Sequence, residues 1–469
     1  MVNKSGISYK SIQWWSDEIF KEAIVPYQVP DESFLMPVKT KNGALYLADD
    51  MQINDYLGLN LSYRYDKIKH TPHYIPGISP KIPDDMVRGS MIPLEEYKLA
   101  EPNYNDFDKC MSSYCSEPEY EAAKAAYKAE VARVDAINAT NVERNFKALQ
   151  QPKKFSNSSY AIALTYDPLD YLRIQTKYST AFRAPTSDEL YFTFMHPDFA
   201  IRPNTNLKKE DAKTKEIALT LYEAPSFITL NLFRTDYKNF IDLGYIGERQ
   251  LAIENGRYIG RTYSIYQNLN RDKAKVNGLE INSKLFLDQI YEPLKGFSLG
   301  YKVTYQKGRM HVKTHHIVKQ GDKILKQYHE DVQAPMNAIQ PVTHVYSASY
   351  ISSSKKFGAD MYITHAKAKS ANDTYDMHWY GSDKDNSQVK WRSESYTLVD
   401  MIGFYSPIKN LTFRAGVYNI FDRKYLTWEA ARSIRTFGAA NLIDQDTGKG
   451  INRFYSPGRN FKLTFEMTF

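Results

Sequence analysis

Cysteine and tryptophan are scarce in this 469-residue chain, at 2 and 5, and nowhere does a run of about eighteen apolar residues occur. The missing run excludes helical membrane spans, although hydrophobic residues make up 42% of the chain. Cys110 and Cys115 lie in one short polar stretch, which points to a small disulfide-closed loop in an oxidising compartment. Two unpaired thiols, or a metal site lacking further Cys or His nearby, are the other readings. No Gly-rich phosphate loop, nucleophile elbow or His-Glu pair at zinc spacing is found, so no enzyme and no resident metal are expected. The net charge of +7 is spread along the chain, without a basic stripe carrying interleaved aromatics, which excludes nucleic acid as a partner. The amino terminus, Met1-Val2-Asn3-Lys4-Ser5-Gly6, lacks the apolar core and cleavage site of a signal peptide. The expectation is therefore an internal piece of a longer precursor or a truncated gene product.

What the chain does have is alternation. Phe461-Lys462-Leu463-Thr464-Phe465-Glu466-Met467-Thr468-Phe469 switches between apolar and polar without a slip. A strand built so can turn one face to lipid and the other to water, and nine to eleven tilted residues cross an apolar band of ~25 Å. Leu57, Leu59, Leu61, Tyr63 and Tyr65 repeat the pattern, as do Tyr160, Ile162, Leu164 and Tyr166. Leu172 to Tyr178, Ile217 to Leu221, Leu279 to Leu287, Phe297 to Tyr305, Tyr346 to Tyr350 and Leu411 to Val417 continue it. The 37 tyrosines suit interfacial girdles, where a ring sits in lipid and its hydroxyl reaches headgroups.

The connections fall into two classes. Asp167-Pro168-Leu169-Asp170, Glu223-Ala224-Pro225-Ser226 and Ser406-Pro407-Ile408-Lys409 are short, whereas the other gaps run to about twenty residues or more. Short turns on one side and long loops on the other is the outer-membrane arrangement. The fold class expected is all-β, a partial transmembrane antiparallel barrel of about thirteen strands whose odd number again points to a fragment. Residues 1–41 read as a loop remnant of a preceding strand, and 42–469 as the barrel. Residues 69–154, 183–210, 242–263, 313–339, 369–390 and 419–456 read as extracellular. In the longest of these, Ser116 and Glu117-Pro118-Glu119 open a helix over about 117–149, with Tyr120, Tyr127, Val131, Val134 and Ile137 on one stripe.

Val417-Tyr418-Asn419-Ile420-Phe421-Asp422-Arg423-Lys424-Tyr425, then Tyr455-Ser456-Pro457-Gly458-Arg459 and the terminal Phe469, resemble the carboxy-terminal signature of TonB-dependent outer-membrane receptors. Gln267-Asn268 through Ala274-Lys275-Val276-Asn277-Gly278-Leu279-Glu280 resembles a further barrel segment of that family. The resemblance implies a barrel of about 22 strands plugged by an amino-terminal domain, with only the last thirteen or so strands represented here. Phe182-Arg183-Ala184-Pro185 and Asn204-Thr205-Asn206-Leu207 look like the paired boxes flanking a histidine-bearing loop in haem and haemoglobin receptors, with His196 between them. Thr205 departs from that pattern, which usually carries Pro. Residues 182–216 look most like haemoglobin and haemoglobin-haptoglobin binding proteins of Haemophilus-type bacteria.

The function this resemblance implies is capture of haemoglobin, free or with haptoglobin, followed by TonB-driven haem uptake across the outer membrane. Haem is then the transported ligand and His196 its candidate iron ligand, because an exposed neutral imidazole can take an axial position on haem iron. A simple polar turn at His196-Pro197-Asp198 is the bland alternative. A receptor for transferrin iron or a siderophore, and a non-functional truncated product, are the alternative functions. His311, His315 and His316 read as a solvated loop, His378 as part of an aromatic belt, and Asp188 and Glu189 as loop solvation or partner contacts.

Overall fold

Over the central lengths of most wall strands one face is apolar and the other polar, and the pairing register lines these faces up across the sheet. The computed structural model describes residues 35–76, 79, 99, 102, 117–196, 199–250, 253–254, 257–258, 262–320, 323–375, 391–434, 443–444 and 447–468. The strands are β1 (Val38–Asn54), β2 (Leu57–Pro72), β3 (Lys153–Leu169), β4 (Leu172–Arg183), β5 (Phe194–His196) and β6 (Phe199–Arg202). They continue with β7 (Glu210–Glu223), β8 (Ser226–Gln250), β9 (Ile253–Glu254), β10 (Arg257–Tyr258), β11 (Thr262–Phe286) and β12 (Phe297–Gln320). The remainder are β13 (Lys323–Pro335), β14 (Thr343–Ile351), β15 (Phe357–Ala366), β16 (Tyr396–Ile408), β17 (Leu411–Tyr418) and β18 (Asn460–Met467). The helices are α1 (Glu117–Leu149), α2 (Ser187–Tyr191) and α3 (Trp428–Ser433).

The wall is an antiparallel meander in the order β1-β2-β3-β4-β7-β8-β11-β12-β14-β15-β16-β17-β18. It does not close among the described residues: β1 pairs only with β2, and β18 only with β17. Along one cross-strand row Thr176, Ile217, Leu232, Leu279 and Tyr305 stand side by side. Leu219 is 41% and Leu232 44% exposed, which is the signature of a face made for hydrocarbon rather than water. Exposed Tyr63, Tyr65, Tyr160 and Tyr305 edge this apolar band on the side of the long connections, and Tyr166, Tyr171, Phe297, Phe357 and Tyr405 edge it by the short turns. The opposite face is polar and internally bonded, with Thr214 to Thr235 at 3.0 Å and Thr220 to Thr229 at 2.9 Å between hydroxyls.

Two stretches read as loops are extended ribbons. β8 and β11 stay paired up to Gln250 and Thr262, and β12 and β13 pair from Arg309 and Pro335 to Gln320 and Lys323. Val38–Lys41, assigned by sequence to a remnant loop, belong to β1. Helix α1 spans Glu117–Leu149, and its end is anchored by Leu149, which is buried with Met36, Leu190, Tyr191, Leu207 and Ile241. That cluster joins the entry to β1, the end of α1, α2, the second box of the sequence motif and β8 under one apolar roof. Burial of this kind contributes ~2 kcal/mol per large side chain, so the region above the wall has a core of its own.

Candidate functional site

Phe182 and Arg183 end β4, where the register sets Arg183 opposite Glu210 at the start of β7. The guanidinium binds both carboxylate oxygens: Nε donates to Glu210 Oε2 at 2.8 Å and Nη2 to Oε1 at 2.7 Å. The third edge, Nη1, donates to Glu189 Oε2 at 2.7 Å. Such a fork matches carboxylate geometry and gives stronger bonds than neutral partners do. Glu210 is buried, and its Oε1 also accepts the backbone N–H of Ile241 at 2.6 Å, tying β8 into the same knot.

Ala184 and Pro185 then lead into α2, which Thr186 caps. The Thr186 hydroxyl accepts from the Glu189 backbone N–H at 3.2 Å while Glu189 Oε2 accepts from the Thr186 N–H at 2.8 Å, a reciprocal capping box. Glu189 is thus a structural acceptor for helix and arginine together, which corrects its sequence reading as loop solvation or a partner contact. Tyr191, on the buried side of α2, has its phenol pushed up to about 12 by burial.

The second box meets α2, the helix that follows the first. The backbone N–H of Asn204 donates to Leu190 O at 3.0 Å, and the Asn204 amide donates to Asn268 O on β11 at 2.7 Å. Its Oδ1 accepts from the Asn206 N–H at 3.0 Å, closing an Asx turn around Thr205. Thr205 and Leu207 are both buried, and Leu207 joins the apolar roof. From β11, Asn268 returns a bond to Glu189 O at 3.2 Å, Gln267 binds Pro203 O at 2.8 Å, and Asn270 pairs with both backbone groups of Lys208. The two boxes are therefore halves of one scaffold.

Between them the chain makes a hairpin. β5 pairs with β6, with His196 opposite Phe199, and β6 lies parallel to β11 over Ser264–Gln267. Tyr245 and Tyr266 seat this hairpin by packing with Phe194 and Ile201. The backbone of His196 closes β5, and residues 197–198 lie outside the described part.

The carboxy-terminal signature forms a second knot. Asn419 is buried in the left-handed region at φ 50, and its side chain takes the Arg423 N–H at 2.8 Å while donating to Arg423 O at 2.9 Å. Its backbone N–H donates to Asp400 Oδ1 on β16 at 2.7 Å. Asp422, at φ 51, accepts the Arg459 N–H at 2.7 Å. A Cβ on Gly458 would sit 2.5 Å from that Asp422 oxygen, so the close approach requires glycine here. Pro457 O faces the Asn419 amide at 3.4 Å, and the Tyr425 ring lies tilted against Tyr396, centroids 4.6 Å apart, while its carbonyl accepts from the Ser456 N–H. Phe421 is 74% exposed, pointing away from the knot. Phe469, Cys110, Cys115, Ser116 and His378 lie outside the described residues.

Other histidines occupy structural places. His316 is on the β12–β13 ribbon, stacked at 4.8 Å on Tyr328 and 3.3 Å from Glu330, which replaces the solvated loop expected from sequence. His311 lies on the same ribbon, opposite Gln333. His70, which the sequence did not single out, is buried at the top of β2 with Nδ1 2.9 Å from Thr40 Oγ1 and its ring edge-on to Phe155. A third centre lies beyond β15, where buried Lys369 donates to Ile339 O at 2.6 Å beneath the Trp428 ring of α3. Burial pushes this lysine down to about 8, outweighing the pull of Asp373 in the other direction. Among the described residues no group of three or more His, Cys, Asp or Glu is placed to hold a metal ion.

Comparison with known proteins places this architecture. The chain is 45% identical over its whole length to hemoglobin-haptoglobin-binding protein A of Haemophilus influenzae, covering 42% of that protein. It is likewise 45% identical to a hemoglobin and hemoglobin-haptoglobin-binding protein of Haemophilus ducreyi, covering 46% of it. The chain therefore spans less than half the length of these relatives. Among solved structures, the copper transporter OprC aligns with 92% of this chain and 48% of its own at a TM-score of 0.52 and 13% identity. A variant of the ferric enterobactin receptor of Pseudomonas aeruginosa aligns with 92% and 54% at the same score and 16% identity. At such identities the likeness is one of fold. The family described as TonB dependent receptor-like, beta-barrel, matches residues 8–420, and with the half-wall and its two knots on view, the chain belongs to that family.

Proposed function

We propose that this chain is part of an outer-membrane receptor that captures haemoglobin, free or bound to haptoglobin, and passes its haem inward with energy from the TonB complex. The connections on the long side of the wall, α1 and the β12–β13 ribbon among them, grip the protein. His196 offers its imidazole to the iron as the haem leaves the globin, whose own histidine must be outcompeted. The supporting observation is the seat of the β5–β6 hairpin. A hydrogen-bonded scaffold from β4, α2, β7, β8 and β11 holds both ends of a short segment carrying one histidine. A ligand that must compete for iron gains from being held in place before the cargo arrives.

The test is haem uptake from haemoglobin by cells displaying the receptor, with wild type compared to His196→Ala. Loss of growth on haemoglobin iron with surface binding of haemoglobin retained is expected. Unchanged uptake by the variant would sink the assignment of His196.

A further inference from the structure

Two histidines remote from the Arg183 scaffold face each other across the wall. His344 on β14 pairs directly with His365 on β15, in a row that continues to Val303 on β12 and Thr397 on β16. Side chains alternate along a strand, so His344 shares its face with exposed Tyr346, and His365 with exposed Met361 and Phe357. Both imidazoles therefore stand on the outward side of the sheet. On β15 that side reads Phe357, Ala359, Met361 and Ile363 before His365, and the strand ends at Ala366 with Lys367 next. Along a strand tilted ~40° the climb from Phe357 to His365 is ~20 Å, close to the outer edge of an apolar band ~25 Å tall. Water reaches the pair there, and neither ring is buried.

The polar edges of the two rings are divided in the same way. His344 Nδ1 lies 3.0 Å from Tyr301 Oη, and His365 Nδ1 lies 2.9 Å from Thr397 Oγ1. Neither Nε2 has a hydrogen-bond partner among the described residues. A hydroxyl accepts an imidazole N–H as readily as it donates, so each Nδ1 can carry the proton and leave a lone pair on Nε2. A bond from the far nitrogen is also what orients a metal-binding imidazole and fixes its tautomer. Tyr301 and Tyr346 lie stacked beside the His344 ring, with centroids at 6.1 and 6.4 Å, and limit its rotation. The two imidazole centroids are 6.2 Å apart, with 37° between the rings. An ion ~2 Å from each Nε2 lies ~3.2 Å from each centroid, so one ion bridges rings ~5 to ~6.4 Å apart, from a tetrahedral to a linear angle.

We propose that His344 and His365 form a binding site for a single nitrogen-seeking transition-metal ion, copper(II) ahead of zinc or nickel, at the outer rim of the wall. The two Nε2 atoms are its protein ligands, and water fills the remaining positions of this open site. Among first-row divalent ions copper(II) binds such nitrogen donors most tightly, while magnesium and calcium take oxygen instead. With one ligand on each strand, the ion ties β14 to β15. The site is independent of the cargo and stands or falls apart from the role of His196.

The test is a Cu2+ titration of the full chain in a mild non-ionic detergent, read by electron paramagnetic resonance. His344→Ala, His365→Ala and Tyr301→Phe are set beside wild type, with His73→Ala removing an exposed histidine elsewhere as the control. Wild type should show one tight Cu2+ with two nitrogen ligands that the control retains, and either histidine variant should bind it at least about tenfold more weakly. Tyr301→Phe keeps the stacked ring but removes the oxygen beside Nδ1, so it should weaken binding about tenfold with the two-nitrogen signal retained. Equal affinity and stoichiometry in both histidine variants would overturn the proposal. Anomalous diffraction at the copper edge needs no variant to fold: in wild type it should place the ion between the two Nε2 atoms, and a map without a peak there would overturn the proposal as well.

Discussion

The Arg183 knot and the Asn419 knot fix long connections to the same wall by different chemistry. Around Arg183 a cation and two carboxylates bridge β4, α2, β7 and β8, which spread over some sixty residues of sequence from Arg183 to Ile241. Around Asn419 an amide in a left-handed turn binds its own neighbours, β16 and the approach to β18. Charge reaches across strands and orients a hairpin, whereas the amide sets the path of one chain. The first arrangement therefore depends on its partners being present together, and the second on a backbone conformation that few residues tolerate.

Glu210→Ala should separate the two most strongly. It strands the guanidinium and leaves the Ile241 N–H without its acceptor, costing ~3 kcal/mol after allowance for the partial exposure of Arg183. Denaturant unfolding in detergent would read the loss, and hydrogen exchange should rise across β5 and β6 but not around Asn419. Asn419→Ala should cost ~2 kcal/mol through lost hydrogen bonds and the strained turn, while Asn419→Gly, which tolerates φ 50, should recover about half of that. If the alanine and glycine variants unfold at the same denaturant concentration, backbone strain is not what makes asparagine necessary.

The smallest effect belongs to Lys369, a buried cation that tests whether charge can serve without a carboxylate in direct contact. Unfolded, it keeps its proton up to its ordinary value of 10.5; folded, it releases it at about 8. The unfolded state thus binds more protons in that window, and stability of the Lys369–Trp428 region rises with pH, by ~1 kcal/mol between pH 7 and 9. Lys369→Met should abolish the slope, read as amide exchange corrected for its intrinsic pH dependence. A slope that persists in the methionine variant would place the titrating group elsewhere.

The wall was legible because lipid on one side and polar contacts on the other force period-two patterning, and Leu57 to Tyr65 or Phe297 to Tyr305 carry it without interruption. The outer lengths of β8, β11, β12 and β13 were not, since strands that leave the membrane have water on both sides and lose the apolar alternation. Helix α1 was legible from its opening Glu117-Pro118-Glu119. The boxes could be found as words, but not what they do: Arg183 and Glu210 become partners only through the β4–β7 register. Glu189 was misread because a carboxylate after a turn looks solvated until its arginine is known. The Tyr245–Tyr266 seat under the hairpin left no sequence signal, as one tyrosine among 37 has none to give.

The uneven ends of the wall carry a consequence of direction. Thirteen strands in antiparallel succession leave β1 and β18 pointing the same way. If the sheet curled until they met, the seam would be parallel, with slanted hydrogen bonds and a register foreign to every other pair in the wall. A seam of the prevailing kind takes an odd number of strands from outside residues 38–467. Among the described residues, each edge offers a row of open backbone groups to whatever extended chain comes by.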